Sequence, residues 1–471
     1  MSSYTISPTL NKSRVFILQK SELEKRWDPS WYIYLQSIQG FKDKKVPVKN
    51  LLLENPQYGA NEIGIERLSN TEPRYIRITD INDFGELENV LGKTASVIEE
   101  KYFLNENDLL LARSGNTVGK SYLHKNVGYN CFFAGYMIRF KLDQTKVLPE
   151  YIFAYTQTEF YKKWIKAIQR TTGQPNINAE EYRSLEIPLP EKSTQDKIVK
   201  IYFDFIAQKQ NNEAEADKLL SSIDDYLLKE LGIKLPEPPK NTLKNRMFTR
   251  TLKEISNNRF DPFYHKEEFA VLDKILDNKM FIKFSTLIQV ITKGETPLWK
   301  GESYVDSGIP FLKVQNISSD GIFGEITFIT EELHKKMTRS ILKGGELLYT
   351  MAGSIGIATY LPIDFGEANI NQAIAKIILK DNLEIDKSFL LYIINSKICK
   401  KQAERFLTVS AQPNINFDQI KAIKVPVPPL DKQKEIVEHI TGIRQQAQQL
   451  KDKTNELLKK ASEEIEEILL N

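Results

Sequence analysis

Gln174-Pro175-Asn176-Ile177-Asn178, followed by Ile187-Pro188-Leu189-Pro190, Gln195 and Ile198-Val199, occurs a second time. The second copy reads Gln412-Pro413-Asn414-Ile415-Asn416, Val425-Pro426-Val427-Pro428, Gln433 and Ile436-Val437. Three landmarks keep one offset: 412 minus 174, 426 minus 188 and 433 minus 195 all equal 238, about half of the 471-residue chain. Solenoid repeats run to tens of residues. A period this long, with nothing inserted or lost between landmarks, means two copies of a whole domain.

Within each copy, Gln-Pro-Asn reads as a tight turn, because Asn and Pro both favour one. The Pro-x-Pro segment reads as a short edge strand, since Pro cannot donate in a central ladder. A long helix follows. In the first copy it runs from Gln195 to about Leu231, which at about 1.5 Å per residue is at least about 50 Å. Ile198, Tyr202, Phe205, Leu219, Ile223 and Leu227 form a heptad seam with two polar interruptions, Lys209 and Asn212. Pro236-Glu237-Pro238-Pro239 cannot continue a helix and begins a stiff linker. In the second copy the helix runs from Gln433 to Leu470 with a cleaner seam of Ile436, Ile440, Ile443, Leu450, Leu457 and Ile465. Two matched helices in one chain most simply pair with each other, the polar stagger fixing register. A surplus apolar face could instead dock another subunit.

Upstream of each repeat the text is strand-like. Between Pro47 and Leu148, short apolar runs such as Tyr75-Ile76-Arg77-Ile78, Leu109-Leu110-Leu111 and Met137-Ile138-Arg139-Phe140 are punctuated by Gly, Asn and Asp. This predicts a mixed, mostly antiparallel β domain, preceded by a possible strand at Val15-Phe16-Ile17-Leu18. Pro149 opens one helix with a core stripe of Tyr151, Ile152, Tyr155, Trp164, Ile165 and Ile168. Its basic tail (Lys162, Lys163, Lys166, Arg170) reads first as a solvated face and second as a DNA contact. The second half answers with a helix from Asp386 to Phe406, and Phe311-Leu312-Lys313-Val314 answers Tyr75-Ile76-Arg77-Ile78. Arg26-Trp27-Asp28-Pro29 and Arg259-Phe260-Asp261-Pro262 read as turns that pin the start of each domain.

Arg113-Ser114-Gly115-Asn116-Thr117-Val118-Gly119-Lys120-Ser121 looks like a phosphate loop. It has three residues where that loop needs four between its glycine and Gly-Lys. Its counterpart, Ala352-Gly353-Ser354-Ile355-Gly356-Ile357-Ala358, has no lysine. Nucleotide binding is set aside in favour of a glycine-rich surface turn near DNA phosphates through Arg113 and Lys120. Glu54-Asn55-Pro56-Gln57-Tyr58 is likewise a turn rather than an amino-methyltransferase centre, having Gln where that site wants Pro.

Composition excludes several classes. Hydrophobic content of 41% and charged content of 27% are ordinary for a soluble globular protein, and a net charge of +3 is weak evidence for nucleic acid. Cys131 and Cys399, one per half, suit a reducing cytosol. Four scattered histidines form no metal-ligand spacing. Residues 1–20 lack the apolar core of a signal peptide, and no run of 18 apolar residues predicts a membrane span. A cytoplasmic location is expected.

The duplicated Asn-Ile-Asn turn, Pro-x-Pro strand, Gln-x-x-Ile helix start and Arg-x-Asp-Pro turn together resemble the specificity subunit of type I restriction-modification systems. Each motif is short; their duplicated order before two long helices is specific, and the resemblance covers nearly the whole chain. Asn369-Ile370-Asn371-Gln372-Ala373 also looks like the family's pattern after the glycine loop, where the first half departs with Phe132-Phe133-Ala134-Gly135.

The resemblance implies an α+β fold: two tandem-duplicated globular α/β target recognition domains, separated and joined by two long helices in an antiparallel coiled coil. The expected divisions are a first domain at 1–190, a central helix and linker at 191–235, a second domain at 236–430 and a C-terminal helix at 431–471. Each domain would read half of a bipartite, asymmetric double-stranded DNA target through the major groove. The helices would set the spacer, since one duplex turn is about 34–36 Å. They would also dock two methyltransferase subunits and, through them, the restriction subunits. The chain itself is expected to hold no catalytic centre, cofactor or metal; S-adenosylmethionine, ATP and magnesium belong to the partners.

By residue type and polar loop placement, the expected DNA contacts are Arg74, Arg77, Arg113, Lys120 and Arg170 in the first domain. In the second they are Lys293, Lys300, Lys313, Gln315 and Asn316. Other readings are a coiled-coil scaffold that binds only protein, an orphan DNA-binding specificity protein of a related defence system, and a stand-alone nuclease or nucleotide-dependent protein. The last would need paired acidic ligands or an intact phosphate loop, and neither is visible.

Overall fold

The computed structural model describes residues 28–115, 117–169, 175–237, 240, 242–255, 260–297, 304–381, 383–407 and 413–471. Arg26, Trp27, Arg259, the expected strand at 15–18, and the repeated glutamines Gln174 and Gln412 lie outside the described residues. The chain divides into two compact units, Met1–Ala214 with Leu450–Asn471, and Glu215–Gln449.

The first unit holds two four-stranded sheets. In one, Gln57–Tyr58, Met137–Phe140, Leu109–Ala112 and Ser121–Leu123 lie side by side, all antiparallel. In the other, the order is Gly64–Glu66, Lys93–Ala95, Arg74–Ile76 and Cys131–Phe133, the last two parallel. The second unit repeats the plan. Ile288–Lys293, Ile374–Leu379, Leu347–Thr350 and Ala358–Tyr360 form the antiparallel sheet. Thr327–Ile329, Ile309–Leu312, Ala368–Ile370 and Ile341–Leu342 form the mixed one, with Phe311 and Leu312 parallel to Asn369 and Ile370. The Pro-x-Pro segments are edge strands: among the described residues, Glu186–Pro188 pairs only with Lys45–Pro47, and Lys424–Pro426 only with Phe281–Lys283.

The long helices run Lys192–Glu230 and Leu430–Leu470, and each contributes to both units. The first unit's core contains Ile198, Tyr202 and Phe205 from the start of one helix and Ala461, Ile465 and Leu469 from the end of the other. The second unit's core contains Ile436 and Ile440 with Leu227 and Leu231. The 238-residue offset maps one set onto the other: Ile198 onto Ile436, Leu227 onto Ile465, Leu231 onto Leu469. Leu219, Ile223, Ile443, Leu450 and Leu457 are half-buried. Within each unit the helices run antiparallel. In the first, Asn212 Nδ2 lies 3.2 Å from Thr454 Oγ1. In the second, Lys432 meets Glu230 at 2.5 Å, and the Tyr226 and His439 rings stack at 3.9 Å.

Each repeated motif has a structural task. Ile177 and Ile415 are fully buried, and the following Asn caps a short helix. Asn178 Oδ1 accepts from Glu181 N, and Asn416 Oδ1 from Gln419 N, both at 2.9 Å. The helix-start glutamines are buried cross-links. Gln195 accepts from Leu148 N at 2.9 Å and donates to Pro190 O at 2.8 Å. Gln433 accepts from Asp386 N and donates to Pro428 O, both at 2.8 Å. Replacing Gln433 by Leu keeps the volume but strands both backbone groups away from water. Denaturant titration should show a loss of about 2–3 kcal/mol; a change under half of that would mean water replaces the amide.

Three readings are corrected. The helix from Pro149 is two helices, Pro149–Tyr155 and Glu159–Ile168. The buried Thr158 ends one by donating to Tyr155 O at 2.8 Å and caps the next by accepting from Tyr161 N. Asp386–Phe406 likewise breaks at Ser396 into Lys387–Asn395 and Lys397–Phe406. Asp28-Pro29 starts a helix, Pro29–Ser37, because the Asp28 carboxylate accepts from Trp31 N at 3.0 Å and proline suits the first helical position.

Candidate nucleic-acid interface

In each unit one backbone constellation gathers five segments from distant parts of the sequence. In the first unit Ala134 N donates to Ile76 O at 3.0 Å, Gly135 N to Ala60 O at 2.7 Å, Arg113 N to Tyr136 O at 2.9 Å, and Ile177 N to Arg113 O at 2.8 Å. In the second, Gly294 N donates to Ile374 O at 3.4 Å, Asn371 N to Leu312 O at 3.1 Å, Met351 N to Ala373 O at 2.7 Å, and Ile415 N to Met351 O at 2.9 Å. A glycine is required where the strand crosses this turn. A Cβ at Gly59 would collide with the Ala134 carbonyl, and one at Gly294 with the Ile370 carbonyl. The bonding aligns Ala134-Gly135-Tyr136 with Asn371-Gln372-Ala373, so the first half keeps the turn while replacing the Asn-Gln pair.

The scaffold is shared and its side chains differ. The first unit presents Tyr58 and Tyr136, 40% and 67% exposed, beside a half-buried Arg113. Arg113 Cζ lies 4.8 Å from the Tyr58 ring centroid, and Tyr58 Oη accepts from Ala179 N at 3.1 Å. The second unit places a buried Met351 at the Arg113 position. It presents Gln372, hydrogen-bonded to the Thr296 hydroxyl, instead of Tyr136's neighbour Gly135.

The expected contacts fare unequally. Arg74 is 2% exposed; its guanidinium donates to Tyr129 Oη at 3.2 Å and Glu88 O at 3.0 Å, so it builds the sheet instead of facing a ligand. Asn316 is 1% exposed and closes its own turn, accepting from Lys313 N and donating to Phe323 O and Glu325 O. Lys120 is a cross-link, donating to Ile81 O at 2.9 Å and pairing with Asp83 at 3.1 Å. The glycine loop is a turn: Gly115, Gly119, Gly353 and Gly356 all have positive φ. Arg77 grips Asp80 through two nitrogens, and that hydrogen bond raises its pKa. Lys313 lies 4.1 Å over the Tyr304 ring, while Lys293 and Gln315 are exposed. Arg170 and Lys300 lie outside the described residues.

Tyr58, Tyr136, Thr296 and Gln372 escaped the residue-by-residue selection. The Asn371-Gln372 pattern was the available signal for one of them; nothing local marks the tyrosines. Among the described residues, no cluster of three His, Cys, Asp or Glu side chains could hold a metal. No described helix is long and apolar enough to cross a membrane.

Two copies of one domain, each displaying different side chains on the same turn scaffold and each braced by a pair of long helices, define a tandem recognition protein. The model of the type I restriction modification DNA specificity domain matches residues 34–221 and 277–467, and the chain belongs to that family. It is 25% identical over 390 residues to the type I restriction enzyme MjaVIII specificity subunit of Methanocaldococcus jannaschii, covering 81% of this chain and 83% of that one. The putative type I restriction enzyme MjaX specificity subunit of the same organism is 23% identical over 396 residues, 83% of each chain. A solved type I restriction-modification S subunit from M. genitalium aligns over 92% of this chain and 97% of its own at 15% identity, with a TM-score of 0.40.

Proposed function

We propose that this chain is the non-catalytic DNA-recognition subunit of a type I restriction-modification complex. Each domain reads one half of a bipartite, asymmetric double-stranded target through the major groove. The paired helices set the unread spacer and dock two methyltransferase subunits, through which restriction subunits join. S-adenosylmethionine, ATP and magnesium act in those partners, and the complex works in the cytoplasm. Residues 1–190 and 236–430 are the two readers; 191–235 and 431–471 carry the helices.

One observation carries this reading: the same five-segment backbone constellation recurs in both units with different side chains. A shared frame with unlike contact residues suits a protein that reads two unlike half-sites. The family and the names of the relatives support the same conclusion.

The test is DNA selection from a random library by the chain with its methyltransferase subunits, at two salt concentrations. Two short unequal motifs at fixed spacing are expected, with affinity falling steeply with salt. Exchanging residues 241–424 for the corresponding segment of another such protein should change one motif and leave the other. Firm methyltransferase binding without any enriched motif would leave a protein-binding scaffold and defeat the proposal.

A further inference from the structure

We propose that Arg113 reads a guanine in the half-site of the first domain and that the second domain reads no guanine at the equivalent position. This rests on the chain being a DNA-recognition subunit. Three observations single out Arg113. Its backbone is clamped on both sides, N donating to Tyr136 O and O accepting from Ile177 N. Its guanidinium rests on Tyr58, whose own hydroxyl is tied to Ala179 N. Its Nε is buried without a partner, and its terminal nitrogens bond to no described residue.

The other arginines on this side are already engaged, Arg77 by Asp80 and Arg74 by Tyr129 and Glu88. Arg113 is therefore a fork of free donors, held in place before any ligand arrives, so little side-chain freedom remains to be lost on binding. A planar guanidinium on an aromatic ring matches the paired O6 and N7 acceptors of guanine, the commonest specific contact in the major groove. A phosphate would also take such a fork. The neighbours here, however, are Tyr58 and the exposed Tyr136, apolar surfaces suited to a base edge. In the second unit Met351 fills the same clamped position and offers no donor.

The experiment repeats the DNA selection with the chain and its methyltransferase subunits, comparing wild type, Arg113→Lys and Arg113→Ala. Lysine keeps the charge and loses the fork. Both variants should lose guanine preference at one position of one half-site by about 10- to 100-fold. The other motif should be untouched, which also shows that the variants fold. If both motifs persist unchanged, the assignment is wrong while DNA recognition stands. If Arg113→Ala weakens all sequences alike and lowers the salt slope by about one, Arg113 contacts phosphate and the proposal fails. If wild type enriches no motif, the DNA-recognition reading falls and this inference falls with it.

Discussion

Ile465→Asp should open the first unit and spare the second, although residue 465 lies six positions from the last residue of the chain. Ile465 is 1% exposed in a core shared with Tyr34, Tyr155, Ile198 and Tyr202. Around it the helix end is tied down by backbone and side chain. Lys42 N donates to Leu469 O at 3.2 Å, and Glu159 N to Glu466 Oε1 at 2.7 Å. A carboxylate at that point has no cation within the cluster. Burying it and losing the isoleucine together should cost more than about 4 kcal/mol. Hydrogen exchange resolved along the chain should show lost protection in 28–214 and 450–471, with 215–449 retained. Ile440→Asp, buried in the other core, should give the reverse pattern. Equal loss in both units from either variant would mean that they unfold as one.

Lys209→Ala should destabilise the first unit by about 3 kcal/mol at pH 7, by breaking a largely buried ion pair from one side. Lys209 interrupts the apolar seam, and sequence alone assigns it to helix register. Its ammonium instead meets Glu86 at 2.7 Å and Glu213 at 2.9 Å, and lies 4.6 Å over the Phe84 ring. It clamps the 82–86 turn to the helix; Asn212, bonded to Thr454, is the register contact. Burial opposes ionisation of Glu86, but hydrogen bonds from Lys209, Asn82 and Gln210 outweigh it, and its pKa is lowered. A carboxyl with a lowered folded pKa stabilises above its unfolded value, near 4.3, and loses that contribution as pH falls through the folded value. Without Lys209 its share of this contribution goes, while Asn82 and Gln210 still bond the carboxylate. The gap between wild type and variant, measured by urea titration, should therefore narrow as the pH drops below about 4. A gap independent of pH would mean the effect is lost packing of the lysine stem.

Much of this architecture is legible in the residues. The 238-residue offset announces the duplication. The alternation of short apolar runs with glycine and asparagine predicts the mixed sheets, and the seams predict the helices. Capping chemistry is equally local: Asn178 and Asn416 sit before their helices because a side-chain oxygen three bonds from Cα reaches the free N–H groups there. The helix break before Thr158 was less legible, since apolar residues resume beyond it and the break shows only in the hydroxyls of Thr156 and Thr158 bonding back to Phe153 O and Tyr155 O.

What the tertiary structure alone decides is which side chains are free and which unit owns which end of a helix. Arg74 begins a short strand and Arg113 follows one, and nothing in their sequence neighbours separates them. Packing does: Tyr129 and the Glu88 carbonyl close over Arg74, while the ring of Tyr58 supports Arg113 and leaves its fork open. Each of these three partners lies more than a dozen residues away along the chain. Likewise the heptads of the second long helix are continuous, yet its start completes one core and its end completes the other. Periodicity records which face of an element is buried. It holds no information on what covers that face, because burial is set by contacts between residues far apart along the chain.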